Sequence, residues 1–182
     1  MPAWLNLPNA ITLLRLILTP FVIQAIVGRR PACAMALFIA ASVTDVLDGA
    51  AARRLRVVTS SGAYFDPVAD KCLLSGVFLA LAIAHFVPWW FVAIVFGRDI
   101  CILAGVGIFF LFTSIRSFPP SIWGKLSTFV QISTVVVWMA RNMLEIPVID
   151  ALAAIMLWVS IAVTIGSGLD YARRGLQLAR AH

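Results

Sequence analysis

Six stretches of about twenty predominantly apolar residues run along this chain, each parted from the next by a short break that carries Arg, Pro or Gly. They are Leu7–Val27, Ala32–Ala52, Asp66–Val87, Trp89–Phe112, Ile122–Ala140 and Val148–Leu169. A backbone that enters hydrocarbon must satisfy its N–H and C=O groups internally, and about twenty helical residues cross a bilayer core. The pattern predicts an all-α integral membrane protein with six transmembrane helices, forming a single domain over residues 1–182. At 62% hydrophobic and 12% charged residues, the chain lies well away from the composition of soluble domains.

The net charge of +6 does not point to nucleic acid, because the arginines fall between apolar runs and not on a basic face with polar surroundings. Their distribution instead predicts an orientation. Arg53, Arg54, Arg56, Arg116, Arg173, Arg174 and Arg180 fall on one side of the six spans, and Arg29, Arg30 and Arg141 on the other. The positive-inside rule then places both termini in the cytoplasm, with Trp89 and Trp90 as anchors at the far interface. Met1–Leu5 holds no positive side chain, so a cleaved signal is not expected. Cys33, Cys72 and Cys101 lie singly in apolar stretches and read as small core residues.

Against this apolar background, four of the eight acidic residues gather between positions 45 and 70. Asp45 and Asp48 are three apart, Asp66 and Asp70 four apart, so each pair shares one helix face. With the orientation above, all four converge at the cytoplasmic membrane face. Ionised carboxylates inside lipid cost about 2.5 kcal/mol or more apiece on insertion scales, and mutual repulsion raises that. Arg53 and Lys71 cannot balance four acids, whereas divalent cations can, and an all-oxygen set suits magnesium, manganese or calcium. Paired metals held by carboxylates are a recurring device for displacement at phosphorus. Small residues follow, with Gly49 and Ala52 leaving room for a bulky guest. Two blander readings compete. Asp66 ahead of Pro67 fits a helix N-cap, and intramembrane acids also mark ion- or proton-coupled transporters.

Read in order, Asp45-x2-Asp48-Gly49-x2-Ala52-Arg53-x8-Gly62-x3-Asp66-x3-Asp70 fills every fixed position of a long, gapped signature. It resembles that of the CDP-alcohol phosphatidyltransferases. NLPNAITLLRLILTP in the first stretch, FDPVADK and GKLSTFVQ are similar to the phosphatidylglycerophosphate synthase and eukaryotic-type cardiolipin synthase branch. The resemblance implies six transmembrane helices, commonly as a homodimer in a bacterial inner membrane, with the active site at the cytoplasmic face. It implies transfer of the phosphatidyl group of CDP-diacylglycerol to an alcohol, with release of CMP. Carried over by position, Asp45, Asp48, Asp66 and Asp70 bind two divalent cations, Mg²⁺ or Mn²⁺, and Asp70 also serves as general base. Asp45, Gly49, Ala52, Arg53 and Gly62 receive the cytidine nucleotide.

The acceptor is read from other residues. Asn9, Thr12 and Arg15 recur every three positions on the first stretch, as do Lys125, Thr128 and Gln131 on the fifth. Arg15 lies too deep to reach the headgroups easily by snorkelling. A polar cavity lined by Asn9, Arg15, Arg98 and Lys125 is expected beside the metals. Phosphatidylglycerophosphate synthases typically carry a second arginine two turns after the one in the fourth stretch, where this chain has Val106. The Arg98-Asp99 pair resembles eukaryotic-type cardiolipin synthases, so phosphatidylglycerol is the expected acceptor and glycerol 3-phosphate the alternative. A transporter remains the distant alternative, though the outer halves of the spans carry almost no polar residues.

Overall fold

The computed structural model describes residues 7–55, 62–112, 122–144 and 146–180; within these, the side chains of 7–12, 45–55, 62–70, 106–112, 175, 176 and 178–180 lie outside the description. The described residues fold into helices joined by turns and contain no strand. The helices are α1 Leu7–Val27, α2 Pro31–Leu55, α3 Gly62–Ile83, α4 Trp89–Phe112, α5 Ile122–Arg141 and α6 Pro147–Arg180. All six expected stretches are thus helical.

Several helix ends differ from expectation. α3 begins at Gly62, which puts Asp66 a turn inside the helix and removes the N-cap reading of that residue. α3 also stops at Ile83, short of Val87, because a Schellman cap closes it. His85 takes φ 61°, its N–H donates to Ala82 O at 3.0 Å, and Phe86 N–H donates to Leu81 O at 2.8 Å. At the other extreme, α6 continues past Leu169 through the basic turn of Arg173 and Arg174.

The helices form two compact units, one built on α1, α2 and α3 and the other on α4, α5 and α6. In the first unit α1 packs against both α2 and α3. α1 ends in a Schellman cap of its own, with Arg29 at φ 52° and Arg30 N–H donating to Ala25 O at 2.9 Å. Pro31 follows at once, so the chain turns back and α2 runs antiparallel to α1. The Arg29 guanidinium lies over the Phe86 ring, 5.9 Å from its centroid. That contact brings the C-terminal ends of α1 and α3 to one edge of the unit.

In the second unit α6 packs against α5 and α4. The Trp90 and Trp158 rings sit 5.9 Å apart, while Arg141 pairs with Asp150 across the α5–α6 connection.

The described core is mainly apolar, but polar groups are buried within it while many large apolar side chains face outward. Arg15, Ser127, Gln131, Thr134, Ser160, Thr164 and Ser167 are buried, while Leu13, Ile17, Phe21, Leu103, Phe129, Ile155 and Trp158 are exposed. Buried hydroxyls return to the backbone of their own helices, as Thr19 Oγ1 to Arg15 O and Thr134 Oγ1 to Val130 O, each at 2.8 Å. Cys33, Cys72 and Cys101 are all exposed, which corrects their expected core placement. A thiol is weakly polar and fits an outward apolar face as readily as a core. Among the described residues, Ile122–Arg141 and Pro147–Arg174 are long and apolar enough to cross a membrane. The shorter described apolar segments are Leu13–Val27, Pro31–Thr44 and Lys71–Ile83.

Candidate active site

The signature positions divide between the end of α2, which holds Asp45, Asp48, Gly49, Ala52 and Arg53, and the start of α3, which holds Gly62, Asp66 and Asp70. Their side chains lie outside the described residues; the helices still fix their heights and registers. α2 starts at the capped edge of the first unit and α3 ends there. At 1.5 Å per residue, positions 45 and 48 stand about 21 and 26 Å from that edge, and positions 70 and 66 about 20 and 26 Å. Counted along its own helix, each pair therefore lies at a similar distance from that edge.

Register agrees with these distances. The buried stripe of α2 is Ala34, Phe38 and Ala41, and the same 3.6-residue periodicity carries it through positions 45, 48 and 52. The buried stripe of α3 is Leu73, Val77, Ala80 and Ala84, and extended backwards it passes through 70 and 66. By spacing alone, each aspartate pair falls on the continuation of its helix's buried stripe. α1 packs closely on α3. A Cβ on Gly76 would come to 2.9 Å from Ile23 Cδ1 and 3.5 Å from Thr19 Cγ2.

Arg15 lies in this unit, fully buried on α1, about 18 Å along it from the capped edge, a distance within about half a turn of those of positions 45 and 70 along their own helices. A buried guanidinium is costly unless its charge is compensated.

The second unit holds Arg98. Its Nη1 donates to Asp99 Oδ1 at 2.7 Å and its Nη2 donates to Ser167 Oγ of α6. The guanidinium carbon lies 5.9 Å from the centre of the Tyr171 ring, and the side chain is 10% exposed. Among the described residues Nε–H is buried without a hydrogen-bond partner.

Around it α5 and α6 bury further polar groups. Gln131 Nε2 donates to Ser127 Oγ at 3.4 Å and to Thr164 Oγ1 at 3.5 Å. Of the residues expected to bind the acceptor, Arg15 is buried in the first unit and Arg98 nearly so in the second, whereas Lys125 is exposed and the Asn9 side chain lies outside the described residues. The buried face of α5 runs through Ser127, Gln131 and Thr134, not through Lys125 and Thr128. The hydroxyl stripe Ser160, Thr164, Ser167 and Tyr171 of α6 escaped the sequence reading. Its spacing of four, three and four was the available signal. Among the described residues no group of three or more His, Cys, Asp or Glu is placed to hold a metal.

Helical throughout its described elements, with a complete signature of paired aspartates on α2 and α3, the chain defines a class. The family model for CDP-alcohol phosphatidyltransferases matches residues 5–166, and the chain belongs to that family of enzymes. Among its relatives is a probable phosphatidylglycerophosphate synthase of Mycobacterium tuberculosis, 33% identical over 182 residues that cover 94% of this chain and 82% of the relative. A CDP-diacylglycerol–glycerol-3-phosphate 3-phosphatidyltransferase of Bacillus subtilis is 34% identical over 91% of this chain and 93% of its own length. A probable CMP-forming cardiolipin synthase of Drosophila melanogaster is 30% identical over 72% of this chain but only 46% of its own length.

Proposed function

We propose that this chain transfers the phosphatidyl group of CDP-diacylglycerol to glycerol 3-phosphate, releasing CMP and forming phosphatidylglycerophosphate. This reverses the weighting drawn from Val106, which favoured phosphatidylglycerol as acceptor. The relatives named for glycerol 3-phosphate match nearly the whole chain, and the cardiolipin synthase matches less of it and under half of itself. The absence of a second arginine at 106 is thus a poor discriminator in this chain. The observation that carries the acceptor reading is Arg98: an immobilised cation, nine-tenths buried, with an unused Nε–H donor suited to a phosphate oxygen.

The donor side rests on the aspartates. Four carboxylates on the continued buried stripes of α2 and α3 are a hard, all-oxygen set of the kind that takes Mg²⁺ or Mn²⁺. Asp45, Asp48, Asp66 and Asp70 would hold two such ions, whose charge offsets that of the pyrophosphate and of the departing CMP. Gly49, Ala52 and Gly62 leave space for the cytidine nucleotide, and Arg53 supplies a cation to it. Asp70 takes the proton from the attacking hydroxyl of the acceptor, which requires hydrogen-bond reach of that oxygen. Arg98 takes the acceptor's phosphate. Asn9, Arg15 and Lys125 are candidates for the same task.

The six helices span the membrane with both termini in the cytoplasm, a reading supported by apolar outward faces, buried polar groups and the loop arginines. The chain acts in a bacterial inner membrane, with its site at the cytoplasmic face, as one catalytic domain and a homodimer.

The test is a purified-enzyme assay with CDP-diacylglycerol and Mg²⁺ or Mn²⁺, offering glycerol 3-phosphate and phosphatidylglycerol separately. Phosphatidylglycerophosphate as the product is expected; cardiolipin from the second acceptor alone would overturn the assignment.

A further inference from the structure

Arg98 does not hold its position by its own helix alone. α4 gives it Asp99, a sequence neighbour, which cannot by itself fix a side chain with four rotatable bonds. The remaining restraints come from α6, sixty-nine residues away along the chain for Ser167. Ser167 is itself fully buried, so its hydroxyl has little freedom to follow a wandering guanidinium. Tyr171 stands one turn further along the same face, with its ring under the guanidinium carbon at 5.9 Å. Between them Gly168 presents no side chain, and a Cβ there would already touch Arg98 Cγ at 3.6 Å. The tyrosine is in turn pinned from α5, where a Cβ on Gly124 would come to 3.1 Å from its hydroxyl. One hydrogen bond, one ring and two glycine gaps thus define a slot shaped to an arginine, in which Nε–H is left over.

We propose that Ser167 and Tyr171 of α6 are positioning residues that fix the Arg98 guanidinium so that its free donor edge meets the phosphate of the acceptor. The proposal rests on the reading of Arg98 as the acceptor-phosphate ligand and adds what makes that ligand effective. A guanidinium binds a phosphate best when its planar fork is already oriented, since less side-chain freedom is then lost on binding. Loss of either restraint leaves the charge in place and loosens its aim. The effect therefore falls on the acceptor's KM and spares the handling of CDP-diacylglycerol.

The experiment uses the full chain in detergent or proteoliposomes, with thermal unfolding recorded for every variant. Ser167→Ala is expected to raise KM for glycerol 3-phosphate about ten-fold, equivalent to about 1.4 kcal/mol, with KM for CDP-diacylglycerol within about two-fold of the parent. Ser167→Thr, which keeps the hydroxyl, is expected to restore most of the affinity. Tyr171→Leu should raise the same KM more than Tyr171→Phe, because the ring and not its hydroxyl underlies the cation. In an Arg98→Ala background, Ser167→Ala should add nothing further, since there is no guanidinium left to aim. A Ser167→Ala enzyme whose two KM values are unchanged, or rise together, would overturn the positioning role. The underlying reading fails separately: Arg98→Ala with a normal KM for glycerol 3-phosphate refutes Arg98 itself, whatever Ser167 does. If Ser167→Ala unfolds, the graded Tyr171 pair and Ser167→Thr decide the matter in its place.

Discussion

Under the proposed function Asp70 has two tasks, to hold a divalent cation and to accept a proton, and the two respond differently to substitution. An amide in its place keeps the size and an oxygen ligand and loses the basicity. Asp70→Asn should therefore lower kcat by about 10²–10⁴-fold, the usual weight of a general base, while CMP binding measured by calorimetry stays near that of the parent. Near-normal turnover would remove Asp70 from the proton-transfer role. Arg98 belongs to the same scale. Its substitution by Lys keeps a positive charge but gives up the planar fork held by Asp99 and Ser167. Arg98→Lys should accordingly raise KM for glycerol 3-phosphate and leave KM for CDP-diacylglycerol little changed, a split that initial-rate kinetics resolve.

At the scale of the helix, α1 packs against both α2 and α3, the helices that carry the signature. Its contact with α3 is closest at Gly76, where an added Cβ meets the end of the Ile23 side chain at 2.9 Å. That methyl can swing away, so Gly76→Ala should be tolerated at a cost of about 1 kcal/mol or less. Gly76→Leu cannot be absorbed so cheaply; it pushes the helices apart, at about 1–3 kcal/mol for an overpacked contact. Thermal unfolding in detergent checks the order of the two. The consequence reaches function because positions 66 and 70 lie on the same helix stripe as Val77. The Leu variant should lose activity at temperatures where it remains folded. Equal behaviour of the two variants would show that α1 and α3 are not tightly coupled. In α6 the helical stripe is divided by polarity, with Ala153 and Leu157 apolar and Ser160, Thr164 and Ser167 polar. The polar half meets Gln131 and Arg98, and the apolar half continues the core.

For the molecule as a whole, the aspartate proposal makes activity conditional on a divalent cation. Exhaustive chelation should reduce transfer to background and added Mg²⁺ or Mn²⁺ should restore it, with product formation as the measure. Activity that survives chelation would remove the metals from the reaction. A reporter fused after residue 182 should be accessible from the cytoplasm alone, as the loop arginines require. The six helices, the aspartate signature and the family were legible in the sequence, because each depends on local information: runs of apolar residues, spacing on one helix, and a gapped pattern carried by the chain itself. Burial was not legible. Cys33, Cys72 and Cys101 stand outside and Ser160, Thr164 and Ser167 inside, and in an apolar chain hydropathy cannot separate the face toward lipid from the face toward protein. The sequence determined the helical stretches, the family signature and the spacing of its aspartates. Only the tertiary structure decided that α1 packs against both α2 and α3, and that Ser167 and Tyr171 frame Arg98. Those contacts depend on how capped helix ends are joined and how closely neighbouring helices approach, and neither is written in the spacing of residues along a single helix.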